Sequence, residues 1–412
     1  MNKLPVYMLY LWTFVAIGRP QDVFPALMAI HPGDIAAGLS IITYIIWGEK
    51  TKKVLLYPEF KLFIAFFIIA AISTPLGVYP KWSLELITDF FLKIGILLYL
   101  VTQQVTTEDR IHGMLNTLVF SGVVMAVATI ATTQEGIRAS VGSTYDPNDM
   151  ALLMVITLPL ALTQALSTKK VIWKTVCFSG AVMCLIALIA TQSRGGFMGL
   201  LVVGLFILFT KMPGLPKKKI VFASLVLALF FVIKMGSDYE NRINTIFDDV
   251  SSLRAGSKRM LIWQRSLVIA SDYPILGAGP YCFNTAYGYY LENDKFVGEL
   301  SPVYDEWAAY KWATAHNSFL LVLVEMGIVG LAIFLAIIFK TFINLRKINE
   351  EFSNRSESIS LALQSIGIKI SLIGFLVCGF FLSQSYNIIP YLFCFLSGTI
   401  LRNAKILSLE EA

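Results

Sequence analysis

Long apolar runs recur along the chain from one end to the other, separated by short polar or charged breaks. Breaking these runs at charges and at Gly/Pro clusters predicts about twelve transmembrane helices. The predicted spans are residues 4–17, 34–47, 60–74, 84–102, 111–131, 149–166, 171–190, 195–210, 219–236, 317–339, 363–383 and 387–401. One long polar stretch, from about residue 237 to residue 315, interrupts the series. The pattern predicts an all-α polytopic membrane protein with a large, partly helical loop between spans nine and ten.

Basic residues are distributed unevenly over the connections between these spans. With a cytoplasmic N-terminus, nineteen Lys and Arg residues fall in the inner connections and tail, against four in the short outer connections. Because positive residues favour the cytoplasmic side, this predicts cytoplasmic N- and C-termini and a periplasmic loop. The predicted regions are transmembrane helices 1–9 (residues 1–236), the periplasmic loop (237–315), and transmembrane helices 10–12 with a cytoplasmic tail (316–412), all in one integrated membrane domain.

The composition agrees with this class and excludes others. Of 412 residues, 56% are apolar and 15% charged, and the mean hydropathy is +0.70, whereas soluble domains carry roughly a quarter charged residues. A soluble enzyme and a nucleic-acid-binding protein are therefore excluded, and the net charge of +6 is mostly a topology signal. Five cysteines form no CxxC pair, so we expect neither a disulfide framework nor a zinc site.

Three polar clusters precede predicted helices on the outer face. They are Tyr145–Asp149 before span six, Thr191–Gly196 before span eight and Thr314–Ser318 before span ten. A helix N-terminus presents unpaired N–H groups and the positive end of the helix dipole, so it favours anions. Several such ends, together with Arg194 and the loop arginines, would form a pocket for a strongly anionic group such as a diphosphate.

Arg194 and His316 are the strongest individual candidates in these clusters. Arg194 is followed by two glycines, which let a ligand approach the backbone; the alternative is a side chain that reaches for lipid headgroups. Flanking arginines are commoner on the inner side, which favours a functional role. A neutral His316 beside a helix start and arginines would suit a proton acceptor. A cap or a buried polar contact explains this histidine equally well.

The predicted loop is rich in aromatic and basic residues. Its tyrosines and tryptophans suit the faces of a sugar or, equally, an interfacial aromatic belt. Arg254, Lys258, Arg259 and Arg265 surround Trp263, and helical spacing places Arg259 and Trp263 on one face and Arg265 on another. Such a charge run is more often a solvated surface than a ligand clamp.

Metal and ion-transport chemistry are weakly supported. Outer acidic pairs form no DxD, and Glu292 with Asp294 is a minor candidate for a divalent ion, so we predict no metal site and no cofactor. Charges inside predicted spans, such as Asp89, Lys93, Glu325 and Lys369, indicate either an ion path or self-satisfied pairs. The four-residue spacing of Asp89 and Lys93 favours a pair.

Three motifs join the outer clusters to a known family. They are Ser193-Arg194-Gly195-Gly196 at a helix start, Arg259-x3-Trp263 followed by Pro274-x2-Gly277-x-Gly279, and His316-Asn317-x9-Gly327-x2-Gly330. In this order and topology, the chain resembles the bacterial O-antigen ligase and O-antigen polymerase superfamily. These are membrane glycosyltransferases that act on undecaprenyl-diphosphate-linked glycans. The motifs cover roughly residues 140 to 335, and the architecture agrees over the whole chain.

The resemblance implies roles for individual residues. Arg194 and Arg259 would neutralise the diphosphate of the donor, and His316 would act as a base or orienting group, with no metal ion required. Beside these three catalytic residues, the expected substrate-binding residues are Arg265, Asn148, Asp146, Asn317 and Trp263. A single in-line displacement implies inversion at the anomeric carbon. On an ideal helix Gly327 lies about 20 degrees from the direction of His316, whereas Glu325 points away and is given no catalytic role.

Alternative functions stay open. The implied enzyme would transfer a glycan at the periplasmic face of the bacterial inner membrane, to lipid A core, to protein, or to a growing polymer as a polymerase. The His-Asn signature favours a ligase. The second class is a transporter or flippase, which would require internal repeats and broken helices near the midplane, and we find no convincing repeat. The expected partners are the lipid-linked glycan, its acceptor and membrane lipids, with no nucleic acid.

Overall fold

The described part of the chain is helical throughout. The computed structural model describes residues 3–49, 55, 57–134, 138–142, 145–212, 214–215, 256–297, 313–352 and 359–410. Within these ranges the extended backbone amounts to isolated bridges, such as that between Val141 and Tyr145. The predicted all-α class is therefore confirmed for the residues that the structure covers.

The described residues form fifteen α-helices, numbered in chain order. They are α1 (Leu4–Gly18), α2 (Pro20–Val23), α3 (Pro32–Trp47), α4 (Pro58–Leu76), α5 (Pro80–Leu86), α6 (Lys93–Gln104), α7 (Glu108–Ala131), α8 (Pro147–Ser167), α9 (Val171–Thr191), α10 (Arg194–Phe209), α11 (Gly256–Asp272), α12 (Phe283–Glu292), α13 (Ser318–Phe352), α14 (Ile359–Gly379) and α15 (Ile388–Glu410). A short 3-10 helix, Pro25–Ile30, precedes α3, and a π-helical turn, Ile87–Leu92, joins α5 to α6. Proline occupies the first position of several helices, where its missing N–H costs nothing.

The predicted membrane-spanning character is confirmed in its main features. Six described helices, α4, α7, α8, α9, α13 and α14, are long and apolar enough to cross a membrane, and α1, α3, α10 and α15 are shorter apolar helices. The predicted fourth span coincides with α5, the π-turn and α6. The ninth predicted span, 219–236, and much of the predicted loop lie outside the described residues. The count of twelve, the division into three regions and the orientation of the termini stay predictions.

The bundle has inner and outer helices. In their most apolar stretches α8 is 83% buried and α14 72% buried, whereas α4 and α9 are only 33% buried. The outer helices direct residues such as Ile68, Ile72, Val182 and Ile186 away from the protein, as expected for a surface against lipid. The inner pair α8 and α14 therefore forms the centre of the bundle, and the start of α8 is one of the predicted site clusters.

The described part of the predicted loop folds onto the bundle. Helices α11 and α12 enclose a second apolar cluster, built mainly of aromatic side chains such as Phe283, Tyr287, Tyr290 and Phe296. Leu321 and Val324 of α13 complete it. The loop tyrosines at these positions thus form a core rather than an open sugar platform, while Trp307, Tyr310 and Trp312 lie outside the described residues. This cluster attaches the loop to the first turns of α13.

Helix α13 is broken at Gly327, which has φ 63° and ψ −169°. This conformation is essentially restricted to glycine. The segment 274–279 fills the break with backbone hydrogen bonds. Ala278 N donates to Val324 O (2.7 Å), Gly279 N donates to Glu325 O (3.1 Å), and Pro274 O accepts from Ile328 N (2.9 Å). The second and third motifs therefore form one backbone interlock, and the ideal-helix expectation that placed Gly327 beneath His316 is wrong.

Candidate functional site

One end of the bundle gathers the three polar clusters. Asn148, in the first turn of α8, accepts hydrogen bonds through Oδ1 from Ser193 Oγ (2.9 Å) and from the Arg138 guanidinium (2.7 Å). Arg138 also donates from Nε to Thr191 O at the end of α9 (3.1 Å). These contacts connect the start of α8 to the turn between α9 and α10. Clusters that are 45 residues apart in sequence thus share one polar surface.

The Ser193–Gly196 element is a capped helix start. Gln192 ends α9 in a left-handed conformation (φ 50°), which turns the chain sharply. Ser193 Oγ then accepts from Gly196 N (3.2 Å) and caps α10. A side chain at Gly196 would collide with Ala151 Cβ, so glycine lets α10 begin against α8. Arg194 is the first residue of α10 and is exposed at this end of the bundle.

His316 is held by its backbone on two sides. It has a left-handed φ of 45°, and its N–H donates to Ser383 Oγ in the turn between α14 and α15 (2.9 Å). The preceding carbonyl, Ala315 O, accepts from Trp263 Nε1 of α11 (3.1 Å). The imidazole Nε2 lies 3.3 Å from Thr314 Oγ1. The histidine therefore lies where α11, α13 and the α14–α15 turn meet.

Electrostatics connect His316 to the arginines. Burial is the main cause that lowers the pKa of His316, and the nearby positive charge of Arg259 lowers it further, against the opposing carboxylate of Asp146. Burial and then Arg194 lower the pKa of Arg259, again with Asp146 in opposition. The groups at these four positions therefore lie close enough to interact electrostatically, and their binding of an anion stays a prediction.

Three predicted substrate-binding residues hold the helix ends. Asp146 Oδ1 accepts from Asn148 N (2.6 Å) and Asp149 N (2.9 Å), which makes Asp146 the N-cap of α8. Asn317 is buried, and its Oδ1 accepts from Phe319 N (2.9 Å) and Leu320 N (3.0 Å) at the start of α13. Asn148 connects α8 to α10. Their positions at the site are as expected, and their substrate contacts stay predictions.

The other two predicted substrate-binding residues differ in placement. Trp263 packs edge-on against Phe380 in addition to its bond to Ala315, so it borders His316. Arg265 is completely buried, donates to Tyr287 Oη (2.8 Å) and lies over the ring of Phe296 (4.9 Å). Within the described residues its guanidinium group belongs to the aromatic core of the loop. This placement favours Arg259 over Arg265 as the second arginine of the site.

Sequence reasoning missed the turn between α14 and α15. Gln384 Nε2 donates to Asp149 Oδ1 (2.7 Å), and Asn387 Nδ2 donates to Gln384 Oε1 (2.9 Å), so the turn is bonded to the start of α8. A small pocket that is partly open to solvent lies beside these three residues. The sequence marks this turn by five consecutive polar residues, 383–387, in an otherwise apolar stretch. Because none of the five is charged, the run did not indicate a binding site.

Charged groups outside the site follow the expected pattern. Lys93 Nζ lies 3.1 Å from Asp89 Oδ1 and 3.9 Å from Asp34 Oδ1, which favours a self-satisfied pair over an ion path. Among the described residues, no group of three or more His, Cys, Asp or Glu side chains could hold a metal ion.

Comparisons with known proteins agree with the motifs. A family model described as O-antigen ligase matches residues 179–335, which include Ser193–Gly196, both loop motifs and the His316-Asn317 signature. No curated protein matches the chain. The matched region contains Arg194, Arg259 and His316, the three groups that the structure brings together. The region 179–335, which holds these three groups, is therefore similar to the O-antigen ligase family.

Proposed function

We propose that the protein is an O-antigen ligase-like glycosyltransferase. It transfers a glycan from undecaprenyl diphosphate to an acceptor hydroxyl at the periplasmic face of the bacterial inner membrane. The observation that carries this proposal is the electrostatic convergence of Arg194, Arg259 and His316 at helix starts within the matched region. The match to the O-antigen ligase family supports glycan transfer as the reaction class. The positions of Arg194, Arg259 and His316 support a diphosphate-linked donor.

The two arginines suit a diphosphate. The positive charge of Arg194 is close enough to lower the pKa of Arg259, so the two guanidinium groups repel, and an anion bound between them removes the repulsion. Arg194 begins α10, so the N–H groups of that helix start add a partial positive charge. Guanidinium groups also form paired hydrogen bonds with phosphate oxygens. The arrangement therefore favours a ligand with several negative oxygens over a neutral sugar alone.

His316 suits the role of proton acceptor. Its lowered pKa keeps the imidazole neutral near pH 7, as a base requires. In the proposed step the acceptor hydroxyl oxygen attacks the anomeric carbon while its proton passes to His316. The bond from that carbon to the diphosphate oxygen breaks, and its electron pair stays on the diphosphate. Arg194 and Arg259 stabilise this developing charge, and a single displacement inverts the anomeric configuration.

The acceptor distinguishes the ligase from the polymerase. Both reactions release undecaprenyl diphosphate, so the arginine site serves either one. The His316-Asn317-x9-Gly327-x2-Gly330 spacing favours the ligase. Incubating the donor with lipid A core, with a protein acceptor, or with a second lipid-linked glycan identifies the product by mass. A metal-independent reaction predicts an unchanged rate in excess EDTA.

Product release tests the function directly. Purified protein in lipid nanodiscs receives the lipid-linked glycan and an acceptor, and released undecaprenyl diphosphate is quantified by mass spectrometry. We expect Arg194→Ala and His316→Ala to lower the rate by about 100-fold or more, since each removes a group that acts in the transition state. A transporter would instead move a labelled anion across liposomes and release no undecaprenyl diphosphate.

Matched controls come from the opposite end of the bundle. Arg346 is an exposed arginine paired with Glu350, and His112 is hydrogen-bonded to Gln164 and Ser360. We expect Arg346→Ala and His112→Ala to retain transfer in correctly inserted protein. The proposal fails if Arg194→Ala and His316→Ala also transfer glycan at the unsubstituted rate.

A further inference from the structure

The turn 382–387 holds the start of α13 through a set of hydrogen bonds to Ser318. Ser318 Oγ donates to Leu382 O (2.7 Å) and accepts from Gln384 N (2.9 Å), while Ser318 O accepts from Ser385 Oγ (2.7 Å). Ser318 and Ser385 are both buried. The turn 382–387 is therefore fixed to Ser318, the first residue of α13, two positions after His316.

His316 needs this support because its backbone is strained. A non-glycine residue in the left-handed region is strained and persists only where its surroundings enforce it. Ser383 supplies one such contact by accepting from His316 N (2.9 Å). The orientation of the imidazole thus depends on the position of the turn that contains Ser383.

Glu325 gives the turn a second attachment to α13. Its side chain is 2% exposed, and Oε2 accepts from Tyr386 Oη (2.7 Å). Its other oxygen, Oε1, accepts from Phe283 N at the start of α12 (3.0 Å). The Glu325 carboxylate therefore joins the turn 382–387 and α12 to α13. Glu325 lies about two helical turns after Ser318 along α13.

The break at Gly327 makes this attachment important. Residues 318–326 form a short helical segment that the break separates from the rest of α13. The main-chain hydrogen bonds with 274–279 hold the C-terminal end of this segment, and the turn 382–387 holds its N-terminal end. Glu325 lies where these two supports meet, because its backbone carbonyl accepts from Gly279 N while its side chain bonds Tyr386.

We propose that Glu325 and Tyr386 are positioning residues for His316, which act through the turn 382–387. This inference rests on the proposed function for any effect on transfer, but the placement of His316 can be measured without a substrate. Neither side chain is required to touch the lipid-linked glycan. Their role is to keep Ser383 where it holds the strained backbone of His316.

The rate at which diethyl pyrocarbonate modifies His316 tests this directly. Peptide mass spectrometry separates His316 from His31 and His112, and the rate is measured as a function of pH in intact protein in nanodiscs. We expect Glu325→Gln and Tyr386→Phe each to change this rate severalfold. In the transfer assay, kcat should fall by about tenfold with KM within about twofold, as expected for a misplaced catalytic group.

A double substitution separates positioning from general loss of stability. If both residues act through one hydrogen bond, Glu325→Gln/Tyr386→Phe should be hardly worse than either single variant. Glu59→Gln is the matched control, because Glu59 is also a buried carboxylate (3% exposed) but lies at the other end of the bundle. We expect this variant to lower thermal stability and to leave the modification profile of His316 unchanged.

The outcomes distinguish this inference from the proposed function. An unchanged His316 modification profile in both single variants, or additive losses in the double variant, overturns the positioning role. A changed profile, together with full transfer activity in His316→Ala, supports the positioning role and overturns the catalytic role of His316.

Discussion

Two clusters of charged groups, one at each end of the bundle, combine their charges in opposite ways. Away from the site, the buried Glu59 carboxylate accepts from Asn344 Nδ2 (2.9 Å) and from Arg402 (3.2 Å), whose guanidinium group lies 3.9 Å from the centre of the Tyr57 ring. The site end instead brings together two positively charged groups, Arg194 and Arg259. Near Arg259 lies His316, which also becomes positive when it is protonated. Opposite charges brought together stabilise the fold, whereas like charges brought together prepare a surface for a ligand of opposite charge.

Backbone strain follows the same division. Among the described residues, the six non-glycine residues with positive φ are Arg19, His31, Gln192, Tyr281, Asp294 and His316. All of them lie in connections at the site end. Strain of this kind collects where a structure must hold a particular arrangement. The strained connections therefore lie at the site end, and substitutions at the two ends should have different effects.

The largest expected effect is on the helix break. A side chain at Gly327 would collide with the Ile275 carbonyl, and one at Gly277 with the Glu325 backbone, and both residues have positive φ. We expect Gly327→Ala and Gly277→Ala each to lose about 3 kcal/mol or more, measured by thermal unfolding and yield of folded protein. Gly204→Ala in α10 is the control, because nothing lies within 4 Å of the added methyl group. Equal stability of Gly327→Ala and Gly204→Ala would contradict the interlock.

The next effect concerns the paired end. Arg402→Ala leaves Glu59 buried without its cation, so we expect the protein to lose roughly 2 to 3 kcal/mol of stability. Transfer per folded molecule should be unchanged, because the residue is remote from the site. Chemical denaturation and the product-release assay measure the two quantities separately. A large loss of transfer at full stability would argue against the division between the two ends.

Arg259→Ala should show the reverse profile. Removing one charge-assisted contact should weaken binding of undecaprenyl diphosphate by about tenfold or more. Stability should be unchanged or higher, because the repulsion between Arg259 and Arg194 disappears. Titration of the nanodisc-embedded protein with undecaprenyl diphosphate measures the affinity, and a thermal scan measures the stability. Reduced stability with unchanged affinity would place Arg259 among the structural arginines, with Arg265.

A smaller effect distinguishes the role of Asp146 as the N-cap of α8 from the role of its negative charge in the site. Asp146→Ala removes the cap of α8 and should cost about 1 kcal/mol, whereas Asp146→Asn keeps a side-chain oxygen for the cap and should cost little. A loss of transfer in Asp146→Asn at full stability would show that the site uses the carboxylate charge. Thermal unfolding and product release distinguish these results.

The pH dependence of transfer provides the finest test. The lowered pKa of His316 means that the imidazole stays neutral to below its ordinary value of 6.5, so transfer should decline only at lower pH. In Arg259→Ala the pKa of His316 should rise, and the decline should begin at a higher pH. Rates measured from pH 5 to pH 8 give both profiles. An acid decline that does not move in this variant would contradict the coupling.

The sequence predicted the parts of the fold that depend on local pattern. Apolar runs located the helices, and helix-start chemistry located Asp146, Ser193 and Asn317, which the structure shows as caps. These features are legible because each depends on neighbours within a few residues of the same helix.

The remaining features depend on contacts between distant segments. The ideal-helix argument missed the break at Gly327, because its partners lie some 50 residues earlier, in 274–279. Arg259 and Arg265 have the same charge and lie on one helix, yet only the packing of Tyr287 and Phe296 shows that Arg265 is buried. The turn 383–387 carries no charge or known motif, so its bonds to His316 and Asp149 were not predicted.

The interlock at Gly327 also limits how the segment that contains α11 and α12 can move relative to α13. Peptide groups exposed by an interrupted helix would be expensive at hydrocarbon depth, and Pro274–Gly279 supplies their partners through main-chain atoms alone. Ser73 Oγ and Val78 N anchor the same stretch from another helix end, by bonding Leu276 O and Ala278 O. A movement of α11 and α12 relative to the bundle would therefore pivot around these hydrogen bonds.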